Sequence, residues 1–127
     1  MIKVLAGIII KNGKILIARR KQGSRLAGKW EFPGGKLEPN ETPEECLYRE
    51  IIEELGIKIK VGKFFCSSKY SYEHISVELL VYMAVYLTGD LFLTDHDVAK
   101  WVTKSELNSY DFADADISVV KKLTDII

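Results

Sequence analysis

Two cysteines, two histidines and three prolines are all that this chain of 127 residues carries of those types, and its 18 Lys+Arg cancel its 18 Asp+Glu. Each shortage excludes something. Cys46 and Cys66 form no CxxC pair and have no histidine at zinc spacing, which excludes a disulfide scaffold and a structural zinc site and leaves two buried, inert thiols. A net charge of zero excludes the broad basic face that a duplex phosphate backbone requires. No stable nucleic-acid complex is therefore expected, while a single nucleotide stays within reach. The opening MIKVLAGIII falls far short of the roughly 20 apolar residues of a membrane-spanning helix, and it lacks the small-residue cleavage site of a signal peptide. No membrane association is expected, and the expected compartment is the cytoplasm. Repeats, linkers and low-complexity tracts are also missing, so residues 1–127, 47% apolar, read as a single domain around one core.

What is present has clear punctuation. Residues 2–10 and 14–19 are β-branched and apolar, joined through Asn12-Gly13, the pair best suited to the positive φ angles of a two-residue hairpin. A polar, glycine-bearing loop follows, then a short WEF strand that stops at Pro33-Gly34-Gly35. Thr42 opens a helix as N-cap, with Pro43 at its first position, Glu45 completing a capping box and Gly56 closing the far end. Residues 57–66, 74–88 and 99–103 read as strands. Residues 116–127 place Val119, Val120, Leu123, Ile126 and Ile127 at helical spacing. The sum is an α+β fold, a central mixed sheet flanked by helices.

On the helix opened by Thr42, Leu47, Ile51 and Leu55 share one stripe, and Glu50, Glu53 and Glu54 share the next. Like charges at such spacing repel unless something cationic sits among them. A hard divalent ion is one such group, because Mg²⁺ accepts carboxylate oxygens, keeps waters and binds substrate phosphates. A solvated helix face is the other explanation, and it weakens once the neighbours are read. From Gly35 to Ile57 the sequence is GKLEPNETPEECLYREIIEELGI: a glycine, five residues, Glu41, seven residues, Arg49-Glu50, apolar Ile51, one residue, Glu53-Glu54, one residue, Gly56 and apolar Ile57. This pattern resembles the complete signature of the Nudix hydrolases. Chance agreement is on the order of 10⁻⁹ per starting point at background composition.

The resemblance implies an α/β/α sandwich and Mg²⁺-dependent hydrolysis of a phosphoanhydride, with Mn²⁺ as a substitute ion. It implies metal ligation by Glu50, Glu53 and Glu54 and by the backbone at Gly34, with Glu50 either ligand or base. Glu41 and Arg49 orient that set, and Gly35 and Gly56 shape the loop and the helix end. Gly34 and Gly35 are expected at a sharp turn. Asn40 stands where glycine is frequent in the family, and asparagine tolerates the left-handed conformation. Outside the box, TDHDVAKW resembles the segment where several branches carry a further carboxylate, which points to Asp95, with Asp97 in reserve.

The run ARRKQGSRLAGKWEFPGGKLE resembles the MutT-like branch of nucleoside triphosphate pyrophosphohydrolases. That likeness implies that Arg20 approaches the nucleotide, and that Asp116, in FADADI, reads the base. An ionised aspartate only accepts hydrogen bonds and so suits the exocyclic amine of cytosine; a protonated one, or one facing guanine N1-H and N2-H, remains open. Asp116 also suits a helix N-cap. Tyr70 and Tyr72 are available to stack on a base. The implied activity is cleavage of a nucleoside triphosphate, such as CTP, dCTP or 8-oxo-dGTP, into monophosphate and pyrophosphate. Two alternatives stand beside it: hydrolysis of ADP-ribose or a dinucleoside polyphosphate, and a non-catalytic nucleotide-sensing domain. Monomer and homodimer are both open.

Overall fold

A computed structural model describes residues 1–126. Seven strands form one mixed sheet: β1 (Ile2–Lys11), β2 (Lys14–Arg20), β3 (Trp30–Glu31), β4 (Gly34–Lys36), β5 (Lys58–Tyr72), β6 (Ile75–Thr88) and β7 (His96–Val102). Helix α1 (Pro43–Leu55) precedes β5; a 3-10 helix (Lys104–Ser109) and α2 (Asp114–Thr124) follow β7. The order along the sheet is β3-β2-β1-β6-β5, with β4 added beside β1 and β7 beside β2. Among the described strands β1 and β6 pair parallel, and the other strand pairs are antiparallel. No helix among the described residues is long and apolar enough to cross a membrane.

β1 reads as one unbroken apolar run because both of its faces are covered. Leu5 and Ile9 pack with Cys46, Leu47, Ile51 and Leu55 of α1 on one side. Ala6 and Ile8 pack with Ala115, Val119, Val120 and Leu123 of α2 on the other. The sheet is thus sandwiched between helices, as the sequence pattern anticipates. Both cysteines are buried and unpaired, and burial pushes their thiols up, Cys46 to about 12.

The local signals hold where chemistry is short-range. Asn12 and Gly13 take φ of 51° and 77°, and Ile10 faces Ile15 across a two-residue turn. Thr42 Oγ1 accepts from Glu45 N at 3.1 Å, while Glu45 Oε1 accepts from Thr42 N at 2.9 Å, closing the capping box. Gly56 ends α1 at φ 71°, and Asn40 adopts φ 65°.

Four expectations require correction. Gly34-Gly35 is not a sharp turn but the start of β4, whose residues pair with Val4, Leu5 and Ala6 of β1. Its glycines answer a demand for close approach instead of positive φ: a Cβ on Gly34 would stand 1.8 Å from the Leu5 carbonyl oxygen, and one on Gly35 would stand 2.1 Å from Glu50 Oε2. β5 extends to Tyr72 and carries both tyrosines within the strand, because bulges let a long polar stretch stay paired with β6. β7 begins at His96, three residues before the expected start, since Val98 and His96 still pair with Arg19 and Arg20. Helix α2 starts at Asp114, after a 3-10 helix the periodicity did not register, and Ile127 lies outside the described residues.

Candidate active site

Helix α1 and strand β4 bring the acidic residues together. Arg49 is the hub. Its Nε and Nη2 donate to the two oxygens of Glu41 at 2.7 and 3.0 Å, and its Nη1 donates to Glu50 Oε1 at 2.7 Å and Glu53 Oε2 at 3.1 Å. Glu41 also accepts from the backbone N–H of Glu38, which fixes the loop before the helix. The Arg49 guanidinium holds the Glu41 carboxyl down at about 2. Such forked geometry is available to arginine alone. Arg49→Lys should therefore lower kcat about 10- to 100-fold, as loss of groups that orient metal ligands does, measured in saturating Mg²⁺. Unchanged kcat would remove Arg49 from the assembly.

The three glutamates of the stripe are placed differently. Glu53 is exposed, with 57% of its side chain open to solvent. Glu50 lies against the α-carbon of Gly35, and burial pushes its carboxyl up despite Arg49. Glu54 turns inward. Its Oε2 is buried with no hydrogen-bond partner among the described residues, and burial, with Asp95, Glu50 and Glu31 nearby, pushes its carboxyl up to about 9. Among the described residues no three acidic, histidine or cysteine groups already converge at ligation distance. The donor set nevertheless fits a divalent ion: an orphaned carboxylate oxygen, neighbouring carboxylates, and a glycine cradle that any Cβ would fill.

The Glu54 geometry fixes a pH dependence. The folded, metal-free chain keeps the Glu54 proton up to about 9, whereas the unfolded chain releases it near the ordinary carboxylate value of 4.5. Folding then binds the extra proton between those values, so this group's contribution falls as pH rises through the window. The melting temperature of the metal-free protein should drop between pH 7 and 9.5, more than that of Glu54→Gln, and added Mg²⁺ should restore more at pH 9 than at pH 6.5. Parallel pH curves for the two proteins would contradict this.

Asp95 sits in the exposed loop between β6 and β7. That loop is tied to the end of α1, where Phe92 N donates to Leu55 O at 2.9 Å and Thr94 N to Glu54 O at 3.3 Å, and to β2 through Lys21 Nζ, which donates to Thr94 O at 2.7 Å. Asp95 thereby faces Glu54. Asp97 does not join it: both of its oxygens accept from Arg19, at 2.9 and 3.0 Å.

Beside the acidic cleft lies an apolar cavity of about 250 Å³ lined by Val4, Leu26, Tyr72, Val77, Ala113 and Asp116 among others. A smaller cleft of about 140 Å³, lined by Gly34, Gly35 and Glu54, shares Val4, Arg20, Glu31, Leu79 and Asp116 with it. The structure therefore collects Arg20, Tyr72 and Asp116 at one site, next to Gly34, Gly35 and Glu54; Tyr70 lies outside both linings. Tyr72 presents its ring, while its hydroxyl accepts from Ala115 N at 3.0 Å and so serves the start of α2. Asp116 is no N-cap. It is 5% exposed, and its Oδ1 accepts from Phe32 N at 3.1 Å across the cavity wall. Burial, reinforced by Glu31, raises its carboxyl well above the ordinary range, which weakens the acceptor-only argument for cytosine.

Two residues of this site escape the sequence reading. Glu31, between Trp30 and Phe32, meets Arg20 Nη1 at 3.3 Å, and His96 Nε2 lies 2.8 Å from its Oε2. A carboxylate set between two aromatic residues was the available signal.

Residues 1–123 match the NUDIX domain. The CTP pyrophosphohydrolase of Escherichia coli (strain K12) is 38% identical over 121 residues, 95% of this chain and 90% of that one. The 8-oxo-dGTP diphosphatase of the same organism is 32% identical over 123 residues, 96% of this chain and 95% of its own. The solution structure of the E. coli ORF135 protein matches at a TM-score of 0.87 and 36% identity, covering 99% of this chain and 90% of that one.

Proposed function

The chain belongs to the Nudix family, and from that membership we propose that residues 1–127 act as one domain that hydrolyses a nucleoside triphosphate to the monophosphate and pyrophosphate. The observation that carries this reading is the shared wall between the apolar cavity and the carboxylate cleft, with Arg20, Glu31 and Asp116 at the junction. A base and sugar fill the first; a polyphosphate enters the second.

Glu50, Glu53 and Glu54, with the backbone of Gly34, would hold Mg²⁺ or Mn²⁺. When bound, that ion neutralises phosphate oxygens and makes water a better nucleophile. The chain's own groups do the rest. Arg49 orients the glutamates, and Glu41 holds Arg49. Water attacks phosphorus, its proton passes to a carboxylate beside Glu54, with Glu50 and Asp95 the candidates, and the phosphoanhydride bond breaks toward the leaving phosphate. Arg20 faces the nucleotide, Tyr72 presents its ring and Asp116 meets the base edge. A protonated Asp116 both donates and accepts, which supports cytosine and oxidised guanine alike, the two bases in the names of the relatives. The free nucleotide pool of the cytoplasm is the proposed setting.

The test is a panel of CTP, dCTP, 8-oxo-dGTP, ADP-ribose and a dinucleoside polyphosphate with Mg²⁺, scoring pyrophosphate and monophosphate. Pyrophosphate from a triphosphate is the expected result. Products from ADP-ribose or the dinucleotide alone, or binding without turnover, would replace this reading.

A further inference from the structure

His96 is buried, with 1% of its side chain exposed, and its ring Nε2 lies 2.8 Å from Glu31 Oε2. Its Nδ1 is also buried and has no hydrogen-bond partner among the described residues. An orphaned lone pair costs less than an orphaned N–H, so the ring carries its proton on Nε2 and donates it to Glu31. The chain makes a local detour to bring this ring in. β2 and β7 shift register between Arg19 and Arg20, so that Arg19 pairs with Val98 but Arg20 with His96, leaving Asp97 to meet the Arg19 side chain outside. A bulge that re-aims side chains beside a site is a common device. Glu31 in turn meets Arg20, and both line the wall shared by cavity and cleft.

We propose that His96 is a positioning residue of the nucleotide site: its Nε2–H fixes the Glu31 carboxylate, which holds the Arg20 guanidinium at the junction of the two cavities. This rests on the nucleotide reading above. Arg20 Nε also donates to the Arg25 carbonyl at 2.5 Å, which anchors one edge of the guanidinium to a polar loop and leaves Glu31 to set the direction of Nη1. Without His96 the Glu31 carboxylate gains freedom to turn toward solvent, and Arg20 follows it. A purely structural residue here would pack as well with a phenyl ring, which has no nitrogen to leave unpartnered.

The test compares steady-state kinetics of the full chain, with Mg²⁺ and its best triphosphate, for wild type, His96→Phe, His96→Gln, Glu31→Ala and the double variant. His96→Phe is expected to raise KM about tenfold with kcat within about threefold of wild type. His96→Gln, whose amide nitrogen reaches toward the place of Nε2, should recover most of that KM, and adding His96→Phe to Glu31→Ala should change nothing further. Wild-type KM in His96→Phe, or a full additional loss in the double variant, overturns the proposal. Should His96→Phe fail to fold, long-range ¹H–¹⁵N spectra of the wild-type histidine rings decide. With two histidines in the chain, and His74 exposed as an internal reference, a fixed Nε2–H tautomer for His96 is expected, lost in Glu31→Ala. An Nδ1–H tautomer, or averaging like that of His74, overturns it. A wild type that hydrolyses no triphosphate would instead sink the functional reading, and the spectra would still report on the contact.

Discussion

Glu54→Gln is expected to lower kcat by about 10²- to 10³-fold in saturating Mg²⁺, while the metal-free variant melts no lower than the wild type at pH 7. The two halves of that result have one cause. Burial keeps the Glu54 carboxyl protonated up to about 9 when no cation is present, so in the neutral-pH fold an amide of the same shape replaces a neutral acid, and only the wild-type unfolded chain gains by ionising. Glu54 would hold a cation as the carboxylate, so cation binding would release its proton, and its Oε2, which has no partner among the described residues, would be available as a ligand. The amide cannot supply that charge. The rise in melting temperature on adding Mg²⁺ should accordingly shrink in the variant together with turnover. Glu53→Gln shares the expected loss of turnover, and since Glu53 is exposed and bonded to Arg49, its replacement strands no buried oxygen. Wild-type kcat for Glu54→Gln would mean that the inward carboxylate is a core feature and not part of the site.

The contrast between those two glutamates marks the limit of what the sequence could express. Helical spacing puts Glu50, Glu53 and Glu54 on one stripe, but the roughly 100° between successive residues decides which of them is buried, and that depends on where β4 and the residue 89–95 loop lie. The capping box, the Asn-Gly hairpin and the α1 core stripe were legible because each is settled within about four residues. Arg20 and Asp116 are anticipated through resemblance and Tyr72 from its aromatic ring; that they meet in one cavity follows from the β1–β6 parallel pairing and from Asp116 reaching across to Phe32 N. His96 was beyond reach for the same reason. Nothing in TDHDVAKW signals a bulge, and without the bulge Asp97 would stand opposite Arg20. Polar residues committed by long-range contacts are the ones a periodicity argument misplaces. Asp97, held by Arg19 from 78 positions away, shows the same effect.

Substituting the adjacent glycines should separate architecture from chemistry. Gly34→Ala puts a Cβ 1.8 Å from the Leu5 carbonyl oxygen and 2.9 Å from Ala6 Cα, all of it backbone in the centre of the sheet. Those atoms cannot yield without β4 separating from β1 and giving up the pairs Leu5↔Gly35 and Ala6↔Gly34. A loss of about 3 kcal/mol is expected, read as a fall of roughly 10 °C in melting temperature. Gly35→Ala meets something softer. Its Cβ would stand 2.1 Å from Glu50 Oε2 and 2.3 Å from its Cδ, the far end of a side chain that can swing aside. The fold should therefore lose less than about 5 °C, while kcat falls about 10²-fold because Glu50 is driven off the position Arg49 holds it in. Thermal melts and Mg²⁺-saturated kinetics on both variants resolve the two effects. If Gly35→Ala kept wild-type kcat, Glu50 would have no place in the reaction. If it melted as low as Gly34→Ala, the Glu50 side chain would be part of the framework and not a group the site can move.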